Sequence, residues 1–183
     1  MTTALLIVDL QNDYFTGGAM PLVGTEEAAV QAARLLERFR EAGRPVVHVR
    51  HLSVRPGATF FLPDTPGAEI HPSLAPRDGE PVVEKNFPNS FRDTALQERL
   101  GELGVDALLI CGAMSHMCID TTARAAFDLG FRCSVAADAC ATRDLEFAGR
   151  KVQAADVQAA FMAALALPFA RVAATSELLD SLA

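Results

Sequence analysis

The stretch Ala4-Leu5-Leu6-Ile7-Val8-Asp9 decides the fold, because it is an unbroken apolar run that ends in a carboxylate. A strand with one face in water alternates apolar and polar residues, whereas a continuous apolar run is typical of a strand covered on both faces. Such strands are found in parallel sheets with helices packed on each side. The run therefore predicts a central strand with Asp9 at its carboxyl end.

Apolar runs and amphipathic helical patterns alternate along the rest of the chain. A helix is predicted over residues 25–42, with two glutamates in its first turn and Gly43 as its terminator. Further strands are predicted at residues 45–49, 82–84, 105–111, 131–136 and 169–173. A further helix is predicted over residues 90–103, with Ser90 as N-cap and with Leu96, Leu100 and Leu103 inward. Another is predicted over 116–129, and a third over 152–165, with Val157, Ala160, Phe161 and Ala164 on one face. A last helix follows Thr175, which is predicted to cap it. This order predicts a parallel sheet with helices on both faces, whose ligand site lies beyond the carboxyl ends of the strands.

Length and charge exclude several classes of protein. The 183 residues predict one domain over 1–183, and the net charge of −7 without any basic cluster argues against a nucleic-acid partner. No apolar stretch reaches the ~20 residues of a membrane span, and no basic leader precedes the first apolar run. We therefore expect a soluble, cytoplasmic protein without a membrane partner. The four cysteines form no C-x-x-C pair, so Cys111 and Cys133 are interpreted as small buried residues of strands.

One segment interrupts the alternation of strands and helices. Residues 51–81 contain six of the ten prolines and three glycines. A structureless loop of this length is uncommon in a compact domain unless it has a function. We interpret it as an arm that covers the site of its own or a neighbouring subunit, with a variable surface loop as the alternative.

Three polar residues follow three of the predicted strands. Asp9 ends the first strand, Lys85 ends the third, and Cys118 lies where the fourth strand turns into a helix. Singly, they could be a turn residue, a surface lysine and a core thiol. Together at one edge of a sheet, an acid, a cation and a thiol are what covalent catalysis requires.

The position of Cys118 predicts how its thiol is activated. With Ser115 as N-cap, the thiol would lie in the first turn of a helix, where the dipole and Lys85 favour thiolate. Asp9 would take the thiol proton and return it to the leaving group. The backbone amides of Met114 and Cys118 are candidates for an oxyanion hole.

These motifs resemble the isochorismatase-like cysteine hydrolases over nearly the whole chain. The matching pieces are Leu6-Ile7-Val8-Asp9-Leu10-Gln11-Asn12-Asp13-Tyr14-Phe15, Glu84-Lys85-Asn86, Gly112-Ala113-Met114-Ser115-His116-Met117-Cys118-Ile119-Asp120 and Ala137-Asp138-Ala139-Cys140-Ala141-Thr142. The resemblance implies a Rossmann-like α/β three-layer sandwich with a six-stranded parallel sheet, and a catalytic triad of Asp9, Lys85 and Cys118. It also implies a cis peptide bond at Ala113–Met114, a small-molecule substrate and a homo-oligomer, either a dimer or a tetramer.

The family includes several chemistries, and the residues favour one of them. Nicotinamidase-like members hold a metal with an Asp-x-His pair and a further histidine, but here the stretch is His48-Val49-Arg50-His51, so His51 and His71 alone would make a poor site. We expect no metal and no cofactor. The intact triad favours C–N hydrolysis of a small amide, carbamoyl or ureido compound. Three alternatives remain: a vinyl-ether hydrolase, a nicotinamidase-like amidase, and a redox-sensing or interaction protein without turnover. A flavodoxin-like cofactor binder is disfavoured, because no glycine-rich phosphate loop follows the first strand.

Aromatic residues near the motifs predict the walls of the pocket. The predicted substrate-binding residues are Phe15, Phe60, Phe87 and His116, with core packing or a helix cap as the alternative for each. Phe61 and Phe91 are weaker candidates of the same kind. Arg50 and Arg55 could bind a substrate carboxylate.

Overall fold

The computed structural model describes residues 2–181 and confirms the predicted α/β sheet. Six strands lie in the order β3-β2-β1-β4-β5-β8, and every neighbouring pair in this sheet is parallel. The strands are β1 (Thr3–Val8), β2 (Val46–His51), β3 (Val82–Lys85), β4 (Ala107–Ala113), β5 (Arg132–Ala141), β6 (Leu145–Phe147), β7 (Arg150–Val152) and β8 (Arg171–Ala173). The α-helices are α1 (Thr25–Glu41), α2 (Leu96–Glu102), α3 (Asp120–Asp128), α4 (Ala154–Leu165) and α5 (Thr175–Asp180).

The central strand β1 is buried on both faces, as its apolar run predicts. Leu5 and Ile7 join the core that α1 and α5 cover, whereas Leu6 and Val8 join the core that α2, α3 and α4 cover. Successive side chains of a strand point to opposite faces, so one uninterrupted apolar run serves two cores. The sheet is thus the middle layer of three.

Several predicted boundaries are wrong for identifiable reasons. Helix α2 begins at Leu96 rather than Ser90, because the Ser90 hydroxyl is bonded to Thr122 Oγ1 at 2.8 Å and caps no helix. Leu103 is 39% exposed rather than inward. Thr175 is the first residue of α5, and its backbone N–H and hydroxyl donate to Asp138 Oδ1.

The region before α4 contains an antiparallel hairpin that the sequence pattern did not predict, and the second strand of this hairpin includes the first residue of the helix predicted over 152–165. Strands β6 and β7 pair through residues 145–147 and 150–152, and α4 starts only at Ala154. On α4, Val157 is buried as predicted, whereas Ala160 and Ala164 face solvent. Short hairpins of this size carry too little periodicity to be separated from a helix start by sequence pattern.

The arm formed by residues 51–81 is held against the sheet by hydrogen bonds to Gln11 and Asn12. The Gln11 side chain donates to the carbonyls of His51 and Ala68, and its Oε1 accepts from the His51 N–H at 2.7 Å. Asn12 Nδ2 donates to the Pro66 carbonyl at 2.8 Å. The arm is therefore a fixed part of its own subunit's fold and not a loose surface loop. Within residues 2–181, no helix has the length and apolar character of a membrane span.

Candidate active site

Asp9, Lys85 and Cys118 meet at the carboxyl edge of the sheet. Asp9 follows β1 with a left-handed backbone (φ 53°), Lys85 is the last residue of β3, and Cys118 lies in a π-helical turn after β4. Left-handed backbone is strained for a residue other than glycine and is concentrated at functional sites. The three elements thereby direct their side chains into one small region.

The Lys85 ammonium is the centre of the cluster. Its Nζ lies 2.6 Å from Asp9 Oδ2, 3.2 Å from Cys118 Sγ and 3.0 Å from His51 Nδ1. Asp9 is 0%, Lys85 1% and Cys118 5% exposed, so the cluster is nearly closed to bulk water. An ammonium group has three hydrogens to donate, and here each has an acceptor.

Asp9 has one oxygen left for chemistry. Oδ2 is bonded to Lys85, whereas Oδ1 is buried and has no hydrogen-bond partner within the part of the chain that the structure describes. A carboxylate oxygen of Asp9 lies within 4.8 Å of Cys118 Sγ. A buried acceptor without a hydrogen-bond partner costs free energy. Asp9 Oδ1 is therefore available to accept a proton or to bind a ligand.

The electrostatics correct the expectation of a resting thiolate. Burial is the largest influence on Cys118 and raises the pKa of its thiol; the Asp9 charge raises it further, and Lys85 opposes both. For Lys85, burial acts to lower the pKa, but Asp9 and Cys118 together raise it above its ordinary value. Burial and Asp9 therefore favour the protonated form of the Cys118 thiol, and the same neighbours favour the charged form of Lys85.

The turn that carries Cys118 is held by bonds that the sequence did not predict. Ser115 caps no helix; it is the first residue of the π-helical turn Ser115–Ile119, and its hydroxyl is buried against the Ala141 carbonyl and Gln158 Oε1. The Ala113–Met114 peptide bond is cis. Gly112 before it has φ 131°, and a Cβ there would lie 1.9 Å from the Val8 carbonyl oxygen, so only glycine fits between β1 and the turn.

A cavity of about 160 Å³ opens onto the Cys118 thiol. Its lining residues are Tyr14, His51, Ser53, Arg55, Phe60, Asn86, Phe87, Pro88, Met114, Met117 and Cys118. Phe60 and Phe87 lie where the sequence predicted them, and residues of the arm form one wall. A larger open groove of about 640 Å³ lies beside β3 and contains none of the three clustered residues.

Two predicted pocket residues lie elsewhere. The Phe15 ring stacks on His71 with centroids 3.8 Å apart, and His116 Nδ1 is bonded to Thr142 Oγ1 at 2.6 Å, so neither faces the cavity. Tyr14 takes the place predicted for Phe15, because the 3₁₀ turn Asn12–Tyr14 rotates the tyrosine inward. The adjacent Met117 faces the cavity in place of His116.

Of the weaker candidates, two phenylalanines and two arginines, only one lines the cavity. Phe61 is fully buried core, and Phe91 packs against Phe131. Arg50 is engaged by Glu69 and Glu84 on the surface. Arg55 lines the cavity, and it is the one charged side chain among the lining residues.

The residues do not fit the metal site of nicotinamidase-like proteins. Asp9, His51 and Cys118 could form a metal-ligand cluster by distance alone, but the Lys85 ammonium lies in contact with all three. A cation there would meet a fixed positive charge. The other candidate, His71, is stacked on Phe15 and bonded to Ser73, away from this cluster.

Comparison with known proteins identifies the family. The isochorismatase domain model matches residues 3–177. The isochorismatase family protein YddQ of Bacillus subtilis is 50% identical over 98% of this chain and 99% of its own, and a streptothricin hydrolase of Streptomyces noursei is 40% identical over 78% of this chain and 50% of its own. The crystal structure of an isochorismatase hydrolase from Oleispira antarctica shares 56% identity and a TM-score of 0.95, covering 98% of this chain and 96% of that one. The match of the family model over nearly the whole chain and the identity with these relatives show that the chain belongs to the isochorismatase family of hydrolases.

Proposed function

We propose that the protein hydrolyses a C–N bond of a small amide, carbamoyl or ureido compound through a thioester on Cys118. The observation that carries this proposal is the contact of Lys85 with both Asp9 and Cys118, together with an Asp9 carboxylate oxygen within 4.8 Å of the thiol sulfur. A nucleophile, a base for its proton and a cation between them are the parts of a covalent hydrolase.

The first half-reaction forms the thioester. As Cys118 Sγ attacks the carbonyl carbon of the substrate, its proton passes to Asp9 Oδ1. The tetrahedral intermediate then collapses: the C–N bond breaks, the proton on Asp9 moves to the departing nitrogen, and ammonia or an amine leaves. This use of one carboxyl as base and then acid explains why a protonated thiol at rest is compatible with catalysis.

The second half-reaction returns the enzyme to its starting state. A water molecule attacks the thioester carbonyl while Asp9 takes one of its protons. The C–S bond then breaks, the acid product leaves, and the proton returns to Cys118. The net reaction consumes one water and involves no oxidant or reductant.

Lys85 and the turn after β4 stabilise the charges that develop. The ammonium at 3.2 Å from Sγ offsets the negative charge that gathers on sulfur during attack and during thioester cleavage. The backbone amides of Met114, which directly precedes the π-helical turn, and of Cys118, which lies within it, are the candidates for binding the oxyanion. Losing one such donor typically costs about 3 kcal/mol of transition-state stabilisation.

The cavity limits the substrate class by size and charge. Its volume of about 160 Å³ admits a compact molecule, and Phe60, Phe87 and Met117 give it apolar walls. Arg55 offers a guanidinium fork, which matches a carboxylate in geometry. We therefore infer that the substrate is a small amide that carries a negative group at the end away from the scissile bond.

One experiment distinguishes the proposed function from the nicotinamidase-like alternative. Ammonia release is measured from a panel of N-carbamoyl amino acids, simple amides and nicotinamide, with the wild-type protein and Cys118→Ala. Turnover lost in Cys118→Ala, with a thioester mass adduct trapped in the wild type, supports the proposal. Chelation with EDTA should leave turnover unchanged, since the candidate metal ligands surround an ammonium; restoration only by a divalent ion favours the nicotinamidase-like alternative.

Absence of turnover from every amide, with hydrolysis of a vinyl ether such as isochorismate that survives Cys118→Ala, would replace the proposal by the vinyl-ether alternative. If neither reaction occurs while Cys118 oxidises reversibly, the redox-sensing alternative is favoured. The predicted homo-oligomer stays a prediction, which light scattering of the purified protein checks.

A further inference from the structure

We propose that His51 contacts the substrate as a fixed hydrogen-bond donor, with Nδ1 held by Lys85 and the Nε2–H directed to an acceptor oxygen of the bound substrate. The contact between His51 and the substrate rests on the proposed function, whereas the assignment of the ring hydrogen to Nε2 does not. The sequence analysis considered His51 only as part of a poor metal site, whereas the structure places its ring in contact with the Lys85 ammonium.

The tautomer follows from the partner of Nδ1. His51 Nδ1 lies 3.0 Å from Lys85 Nζ, and an ammonium group can only donate. Nδ1 must therefore be the acceptor, so the hydrogen of a neutral ring is on Nε2. The His51 backbone is fixed as well, since its N–H donates to Gln11 Oε1 at the end of β2.

The ring is placed between the cluster and the cavity. His51 contacts Lys85 on one side and lines the same cavity as Cys118 on the other. No side-chain or backbone partner of Nε2 is found among residues 2–181. A donor that faces a ligand cavity without a protein partner is available to a ligand.

The surroundings keep this ring neutral. Burial is the main cause that lowers the pKa of His51 to about 4, and the charges of Lys85 and Arg55 lower it further, against the opposing effect of Asp9. A ring in this state neither gains nor loses a proton near neutral pH. His51 is therefore a donor to oxygen and not a general base, and it selects a carbonyl or carboxylate oxygen over an amine.

Two variants separate the two nitrogens of the ring. His51→Asn can keep an acceptor near the Nδ1 position, and His51→Gln can keep a donor near the Nε2 position. The probe is iodoacetamide, a small amide that must enter the cavity to alkylate Cys118. Because one lost hydrogen bond amounts to roughly tenfold in affinity, we expect the half-saturating iodoacetamide concentration to rise about tenfold in His51→Asn and to change less than about threefold in His51→Gln. The opposite order, or equal effects of the two changes, overturns the assignment of Nε2–H as the contact.

Ring NMR of ¹⁵N-labelled protein tests the tautomer without any turnover. The His51 signals are identified by their loss in His51→Gln. We expect the Nε2–H tautomer at pH 7 and no titration down to about pH 5; an Nδ1–H tautomer or titration near the ordinary histidine pKa overturns the proposal. The expected NMR and alkylation results, found together with a lack of turnover on the whole amide panel, count against the proposed function alone.

Discussion

Lys85 Nζ lies 2.6 Å from Asp9 Oδ2, and both side chains are completely shielded from solvent. A buried ion pair adds little net stability, but removing one partner leaves an uncompensated charge in the interior. This pair lies beside a thiol and a cavity, where the proposed reaction gives both charges a role. Its two members can be tested separately and together.

Replacing Lys85 with methionine should destabilise the fold as well as abolish turnover. The change leaves the Asp9 carboxylate buried without its counter-charge, and we expect the free energy of unfolding to fall by about 3–5 kcal/mol. The matched control is the double variant Asp9→Asn/Lys85→Met, which removes both charges and should regain most of that loss while staying inactive. Urea denaturation followed by circular dichroism measures both variants. A single variant as stable as the wild type would show that Asp9 is not charged at rest.

Asp9→Asn should change turnover and thiol reactivity in opposite directions. Turnover should fall to the level of Cys118→Ala because the proton acceptor is gone. Alkylation of Cys118 at pH 8 should become faster, because the carboxylate that raises the thiol pKa is removed while the Lys85 charge that lowers it stays. The measurement is the rate of carboxamidomethylation at Cys118, resolved by peptide mass from the three other buried cysteines.

An exposed carboxylate provides the control for that experiment. Asp128→Asn removes the same charge at the end of α3 and should alter neither rate. Slower alkylation in Asp9→Asn would contradict the electrostatic account, and retained turnover would exclude Asp9 as the proton carrier.

Arg55→Gln should remove a preference for negatively charged reagents. Iodoacetate and iodoacetamide differ by one charge, so the ratio of their rates at Cys118 measures what the cavity does with a carboxylate. Since one exposed charge pair contributes about 0.2–1 kcal/mol, the ratio should fall by a factor of about 1.4 to 5 in Arg55→Gln. Arg50→Gln is the matched control, because Arg50 is engaged by Glu69 and Glu84 outside the cavity. An unchanged ratio in Arg55→Gln would remove the inference of an anionic substrate.

The sequence predicted the features that depend on local pattern. The two-sided apolar run of β1 fixed its place in the sheet, and the strand-end positions of Asp9, Lys85 and Cys118 fixed the cluster, because parallel strands end at one edge. These predictions needed only alternation, burial and topology.

The predictions from sequence were wrong or incomplete where a long-range contact decides which way a side chain points. Phe15 and Tyr14 are neighbours, and a short 3₁₀ turn determines that the tyrosine faces the cavity. His51 gained its role from Lys85, 34 positions away, and no local pattern could show that contact. The expected thiolate is disfavoured because burial and Asp9 raise the pKa of the Cys118 thiol against the opposing effect of Lys85, and burial depends on the whole fold.

The arm should depend on the carboxylate of Asp13. Asp13 Oδ2 accepts the Phe61 N–H at 2.6 Å and Oδ1 accepts the Ala19 N–H at 3.1 Å, so Asp13→Ala leaves two donors without partners. We expect a loss of about 1–3 kcal/mol for the Phe61 N–H, which is left buried, and faster proteolysis within residues 54–59. The Ala19 N–H belongs to an exposed residue and can bond to water instead. Urea unfolding and limited cleavage by proteinase K, which does not require a basic residue, measure the two effects.

Two glycine variants provide an independent check on the same contact. A Cβ at Gly67 would lie 2.1 Å from Asp13 Oδ1, whereas a Cβ at Gly101 in α2 would meet no atom within 4 Å. Gly67→Ala should therefore destabilise the arm, and Gly101→Ala should be neutral or stabilising by up to about 1 kcal/mol. Equal stability of the two variants would contradict a tightly packed arm.

Alkaline pH should destabilise the protein through its buried thiols. Burial raises the pKa of Cys133 to about 11 and of Cys140 to about 12, whereas a thiol in an unfolded chain titrates near ~8.5. The unfolded state thus loses protons first, so the stability that these thiols contribute is present below pH ~8.5 and is lost as pH rises toward 11 and 12, by about 1.4 kcal/mol per pH unit for each thiol.

Cys140→Ala isolates one of these thiols from the lysines and tyrosine that titrate in the same range. Between pH 8.5 and 10.5, the free energy of unfolding of this variant should fall less steeply than that of the wild type, even though its value at pH 7 is lower because of the lost side chain. Guanidinium unfolding at stepped pH measures the two slopes. Cys118→Ala, which also removes a thiol with a raised pKa, should flatten the curve in the same direction. Parallel slopes for all three proteins would show that the buried thiols do not control alkaline stability.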